Sequence, residues 1–253
     1  MRILLPPSET KRDGGADAPL ALEALSFPSL SAAREQTLAA LGELSSDGAA
    51  MMRALKLGPR QTAEVDRNRA IPAAPTMAAI DRYTGVLFDA LEAPSLDAEA
   101  RAFAGRTVAV HSALLGLVGA LDPVPAYRLS HDSKLPGLRL KAHWREPIAR
   151  VLDDEAGLII DLRSEGYAEL GPAPARPGSV YVRVVSIDGD GRRRALNHFN
   201  KQAKGRFTRA VLERRPELAG VEDLLDWADS QGFSMRLGEE RAATLPREVE
   251  LVA

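Results

Sequence analysis

Short aliphatic runs, each closed by proline, glycine or a polar turn, recur along this chain with helical stretches between them. That pattern limits the fold more than any other feature, because apolar runs of about 4–8 residues bounded by turn signals read as buried strands. Arg2 to Leu5 stops at Pro6-Pro7, whose rings fix the backbone and remove donors. From Ser29 to about Arg69, leucines recur at helical spacings with Gly42, Gly48 and Gly58 as punctuation. Thr76 to Ile80 reads as a strand, and Tyr83-Thr84-Gly85 leads into a helix through Leu91. Thr107 to Val110, Gly157 to Leu162 and Ser179 to Ile187 are further strands. Asp188-Gly189-Asp190-Gly191 is a hairpin signal, so Arg194 to Phe199 returns antiparallel. Helices over about Lys201–Arg214 and Pro216–Ser230 follow, then short strands near Phe233 and Val249. The elements do not alternate as strict βαβ units. The expectation is a mixed α/β (α+β) sheet flanked by helices, in one compact domain spanning residues 1–253.

Composition narrows the chemistry. The chain has 253 residues, is 45% hydrophobic and carries a net charge of −2, which excludes an intrinsically disordered protein. Cysteine is absent, so disulfides, thiolate nucleophiles and zinc–cysteine or iron–sulfur sites are excluded. No secretory h-region follows Arg2, and the apolar run Ala113–Leu121 is too short to span a bilayer. A cytoplasmic protein with no membrane partner is expected. The four histidines (111, 131, 143 and 198) are scattered, so neither a metal nor a cofactor is expected.

Of 33 basic residues only six are lysine: Lys11, Lys56, Lys134, Lys141, Lys201 and Lys204. Against such an arginine bias, a retained lysine marks a place where an ammonium serves and a guanidinium does not. Basic residues also cluster. Arg192 to Arg215 holds nine Lys/Arg against Glu213 alone, which is +8 and leaves −10 for the rest of the chain. Arg128 to Arg150 holds six against Asp132 and Glu146. Basic clusters on a near-neutral background are the footprint of a polyanion partner, although a solvated helix face gives the same pattern. Ser112 to Gly119 has the hydrophobic-Gly-hydrophobic core of a helix-hairpin-helix turn, whose N–H groups would approach a phosphate. Ser8 with Lys11, and Ser112 beside His111, are possible nucleophile–base pairs. Asp161 and Glu165 close a strand, a position that suits a catalytic carboxylate as well as a cap or turn.

An ordered series of motifs then adds a resemblance. Ile3-Leu4-Leu5-Pro6-Pro7-Ser8-Glu9-Thr10-Lys11, Tyr83-Thr84-Gly85, Ser112-Ala113-Leu114-Leu115-Gly116 and Pro125-Ala126-Tyr127-Arg128-Leu129 resemble the bacterial peroxide-stress protein YaaA family. Trp144, Ser164-Glu165-x-Tyr167 and Lys201-x-x-Lys204-Gly205-x-x-x-Arg209 complete it, covering residue 3 to about 235. The opening departs from the enterobacterial Ser-Pro-Ala-Lys-Thr form, which leaves the role of Ser8 open. The resemblance implies a single α/β domain with a positively charged cleft and a helix-hairpin-helix-like element. It also implies roles in oxidative stress, iron homeostasis and DNA protection, with duplex or branched DNA as partner.

Two functions follow as expectations. In the first, DNA is bound without strong sequence preference. Lys201, Lys204, Arg206 and Arg209 contact phosphates, Gly116, Leu117 and Gly119 present backbone donors, and Arg128 and Lys141 line a cleft that both basic segments share. Ser8, Lys11, Tyr83, Thr84, Ser112 and Tyr127 also line it. In the second, the protein is an enzyme acting on a small phosphorylated or nucleobase-like molecule bound in that cleft, with Ser8, Lys11, Ser112 and Lys201 as its catalytic groups.

Overall fold

The aliphatic runs become the strands of one sheet. The structure is a computed structural model and describes residues 1–187, 193–195, 198–239 and 241–252. In chain order the elements are β1 (Arg2–Leu5), α1 (Ser31–Ser46), α2 (Gly48–Ala54), α3 (Ala63–Arg69), β2 (Thr76–Ala78), α4 (Ala79–Arg82), α5 (Val86–Leu91) and α6 (Ala98–Thr107). Next come β3 (Val108–Ser112), β4 (Gly116–Gly119), β5 (Pro123–Pro125), α7 (Leu140–Asp153), β6 (Ile159–Asp161) and α8 (Glu165–Ala168). The chain ends with β7 (Ser179–Ile187), β8 (Arg193–Ala195), α9 (His198–Arg214), α10 (Val221–Ser230), β9 (Met235–Leu237) and β10 (Arg247–Val252). Together they form a single α/β domain.

The sheet runs β4-β3-β1-β6-β7-β10-β9, with β8 added beside β7. The inner strands β3, β1, β6, β7 and β10 are mutually parallel, whereas β4, β8 and β9 pair antiparallel. Parallel strands are covered on both faces, which is why their sequences are continuous aliphatic runs rather than alternating ones. Ile3, Leu4 and Leu5 and the whole of β3 are buried. A second, two-stranded sheet pairs β2 with β5.

Two expectations change, and a third falls on residues outside those described. The strand expected over Thr76–Ile80 ends at Ala78, where α4 begins. The return strand from Arg194 is β8, and His198 and Phe199 already belong to α9. The turn Asp188–Gly191 lies outside the described residues.

The helix-hairpin-helix reading of Ser112–Gly119 is also corrected. The segment is the antiparallel hairpin β3–β4, paired Ser112 to Gly116 and Ala109 to Gly119, and it is buried throughout. Gly116 has φ +67°, and a Cβ there would stand 2.8 Å from Cζ3 of Trp144, so the glycine is needed for close packing. The fully buried guanidinium of Arg34 donates to the carbonyls of Leu115 (2.9 Å) and Leu117 (2.8 Å), while Trp144 Nε1 donates to Ala113 O (2.9 Å). Gly116, Leu117 and Gly119 therefore face protein, and none of them presents a donor to DNA.

Gly205 marks a second close approach. A Cβ on it would fall 2.2 Å from Leu87 O, so α9 rests directly on α5 at that residue. This contact settles α9 against the sheet and turns Lys204 inward.

Candidate functional site

After β1 the chain leaves toward β3, and after β6 it leaves toward β7, on opposite sides of a neighbouring strand pair. In open α/β sheets the crevice beyond the carboxyl ends of such a pair is where ligands bind. The residues following β1, β3 and β6 converge there: Ser8 to Lys11, Ser112, and Arg163 to Tyr167.

The loop after β1 is held by a buried clamp. The guanidinium of Arg82 donates to the carbonyls of Arg12, Gly14, Pro75 and Val124, tying the loop to both strands of the small sheet. Lys11 forms an isolated antiparallel bridge with Tyr83. Its side chain is thereby drawn inside, where Nζ lies 4.0 Å from the ring centre of Tyr127 and 5.2 Å from that of Tyr83. Nζ donates to Ser8 O at 2.9 Å and Glu9 O at 3.4 Å. Burial, and next the Arg128 guanidinium, lower the ammonium pKa from 10.5 to about 7. Arg128 itself pairs with Glu9 (2.5 Å), and its backbone N and O are both held by the buried side chain of Asn68.

Tyr127 links Lys11 to Ser112. Its hydroxyl lies 2.6 Å from Ser112 Oγ and 2.8 Å from the Tyr83 hydroxyl. Ser112 Oγ accepts the N–H groups of Leu114 (3.1 Å) and Leu115 (2.9 Å), which occupies its lone pairs and leaves its hydrogen to donate to Tyr127. The two phenols then share one hydrogen bond, and one phenolic O–H remains to donate beyond the chain. Burial raises Tyr83 to about 12 and Tyr127 well above 10, so both stay protonated donors. Thr84 Oγ1 donates to Thr10 Oγ1 (3.0 Å), which lies 3.2 Å from Ser8 Oγ at the exposed mouth.

Behind this cluster sits a buried ion pair. Arg163 donates to both oxygens of Asp161, at 2.8 and 2.6 Å, and its Nη1 donates to Gly171 O and to Nδ1 of His111 (2.8 Å). Because Arg163 can only donate, His111 Nδ1 must accept, which fixes the neutral tautomer with hydrogen on Nε2. Burial and the guanidinium together hold His111 well below its ordinary pKa. The ring of Tyr167 stands between His111 (5.5 Å) and His131 (5.0 Å).

With this geometry in place, comparison with known proteins decides the family. The family model described as peroxide stress protein YaaA matches residues 1–237. The chain belongs to that family. A UPF0246 protein of Corynebacterium efficiens is 43% identical over 97% of this chain and 98% of its own length. One from Streptomyces coelicolor is 40% identical over 93% and 92%, and an uncharacterized protein of Campylobacter jejuni is 26% identical over 81% and 82%.

Within this YaaA-family chain the structure separates the expected site residues into two groups. Ser8, Lys11, Tyr83, Thr84, Ser112 and Tyr127 come together. The basic residues do not. Lys204 is buried, with Nζ 3.4 Å from Arg163 O and 5.9 Å from the Tyr181 ring, and burial lowers its pKa to about 8. It cannot contact a phosphate as expected. Arg209 caps α5 through the carbonyls of Leu91 (3.1 Å) and Glu92 (3.0 Å) and pairs with Glu213. Lys141 is exposed and paired with Glu169 (2.6 Å). Lys201 and Arg206 are exposed on α9 without an ion pair among the described residues. Of the four residues expected as catalytic groups, Ser8, Lys11 and Ser112 lie in this cluster and Lys201 is exposed on α9.

Sequence reasoning missed Arg163 and the hydrogen-bonded path from Ser112 to Tyr83. The signal for Arg163 was the spacing Asp161-x-Arg163 at the end of a buried aliphatic run, where a parallel strand delivers its next residues to the crevice. A cavity of about 710 Å³ lies elsewhere, beside α1 and residues 68–72. Leu20, Leu22, Leu38, Leu41 and Ile71 give it an apolar wall, and none of the Lys11-cluster side chains lines it.

Proposed function

We propose that this protein serves the peroxide-stress response through the Lys11 cluster, as an enzyme acting on a small phosphorylated or nucleobase-like molecule. The observation that carries this reading is an amine buried between two phenols at the switch point of the sheet. Near neutrality an amine with a pKa of about 7 is available as a base, and the spare phenolic hydrogen is available as an acid. Arg128 adds positive potential for an anionic substrate. An arginine at position 11 would retain charge and lose the ability to take up a proton. The test is survival under hydrogen peroxide of cells lacking their own copy, supplied with wild-type protein or Lys11→Arg. The expected result is loss of protection by folded Lys11→Arg; full protection would overturn the proposal.

A second reading, favoured by exposed Lys201 and Arg206 on α9, has duplex or branched DNA as the ligand. Affinity would then fall with salt by about 0.9 log units per neutralised phosphate per log unit of salt. The combined change Lys201→Glu and Arg206→Glu would abolish it, while Lys11→Arg would leave it near normal.

A further inference from the structure

We propose that a second pocket, where β6 meets β7, binds a small aromatic or similarly compact oxyanion through Arg145 and Arg241. The pocket has a volume of about 200 Å³ and lies beyond the carboxyl end of β6, floored by Tyr181 and Asp161. β6 is the direct neighbour of β1, at roughly 4.8 Å per strand, and β7 lies one strand further. The pocket's lining includes none of the side chains of the Lys11 cluster, and it stands whether or not the proposed enzyme activity does.

The sign of the ligand follows from which charges are already committed. Each acidic group at the pocket is paired: Asp161 to Arg163 (2.6 Å), Glu165 to Arg183 (3.0 Å) and Glu169 to Lys141 (2.6 Å). The cations are not. Arg145 makes one long bond, to Glu169 O at 3.4 Å. Arg241 stands over the Tyr181 ring at 4.9 Å, and among the described residues its one carboxylate contact is Glu248 at 3.9 Å, an acid that Arg183 holds at 3.0 Å. The unspent hydrogen-bonding capacity around the pocket thus consists of donors carrying positive charge. Guanidinium groups take a carboxylate or phosphate in paired hydrogen bonds. The apolar wall from residues 172–173 and 245–246 suits a compact body attached to that group. The shared chemistry is an oxyanion on a small, partly apolar frame.

The chain has four tyrosines, so 3-fluorotyrosine labelling gives four fluorine resonances, and Tyr181 is assigned by its loss in Tyr181→Phe. Benzoate, phenyl phosphate and uncharged benzyl alcohol are titrated into the labelled, full-length protein. The expected result is a saturable shift of the Tyr181 resonance with at least one anion and none with benzyl alcohol; the stronger anion identifies carboxylate or phosphate as the preferred group. Arg145→Gln and Arg241→Gln, both near the surface, should each weaken that binding at least fivefold while leaving the fold intact. The proposal fails if neither anion saturates below 10 mM, as an order of magnitude for a real site. It fails equally if benzyl alcohol shifts Tyr181 as much, if the Tyr83 and Tyr127 resonances move instead, or if both arginine variants bind like wild type.

Discussion

Lys11 and Arg34 show two ways in which a buried cation is tolerated. Arg34 replaces hydration with the carbonyls of Leu115, Leu117 and Ser26, so it holds a hairpin. Arg34→Met would leave those carbonyls without donors, and urea unfolding should show a loss of about 3 kcal/mol, one to three for each orphaned group. Burial lowers the pKa of both, Arg34 to about 10 and Lys11, which has fewer partners, to about 7. Its folded value, about 7, lies below the ordinary 10.5, so between those values the unfolded chain binds more protons and stability rises with pH. Protonating Lys11 in the folded protein carries a cost below pH 7 that is progressively relieved above it. Unfolding of wild type and Lys11→Met, compared at pH 7 and pH 9.5, should therefore show wild type gaining on the variant by roughly 2–3 kcal/mol, at about 1.4 per pH unit. Equal changes in the two proteins would mean that Lys11 is charged when folded. At this scale the sequence singled out Lys11 and Ser112. It could not reveal that Tyr127 joins them, because that contact depends on how three separate segments meet.

Element boundaries were the more legible level. Buried parallel strands declare themselves as aliphatic runs, and β7 matches the expected Ser179–Ile187 residue for residue. The Ser112–Gly119 hairpin was misread because glycine between aliphatic residues serves a phosphate-binding turn and a tightly packed strand equally well. Only the location of Trp144 and Arg34 distinguishes them. Gly116→Ala combines a positive φ with a 2.8 Å approach to the Trp144 ring, so it should cost about 2–4 kcal/mol, measured by urea unfolding. A neutral result would show that Trp144 swings aside at little expense. Gly205→Ala is expected to act differently. Its Cβ would meet the Leu87 carbonyl at 2.2 Å, a backbone atom that cannot rotate away, so α9 must lift from α5. Hydrogen exchange should then quicken in both helices, and unchanged protection there would contradict the packing described.

For the molecule as a whole, charge counted along the chain did not locate a cleft. The segments 128–150 and 192–215 were expected to face one another, yet their basic residues are spent in different ways: Arg128 on Glu9, Lys141 on Glu169, Arg209 on the end of α5, and Lys204 within the core. Arg192 lies outside the described residues, as do the side chains of Arg193 and Arg194. Charge reversal at Lys204 would consequently disturb folding before it tested any ligand. What the sheet does create is a crevice at the point where its connections diverge, and there the chain places an amine, two phenols and a hydroxyl in contact. The lysine bias of the sequence pointed to that amine; the topology explains why it is buried. The central claim is that Lys11 is the basic group of this crevice. It is tested most directly by nitrogen-15 NMR titration of the lysine side chains, of which there are six, with Lys11 assigned by its absence in Lys11→Met. Lys11 should lose its proton near pH 7, well below the ordinary lysine value of 10.5. A Lys11 resonance that stays in the ammonium range beyond pH 10 would contradict the account.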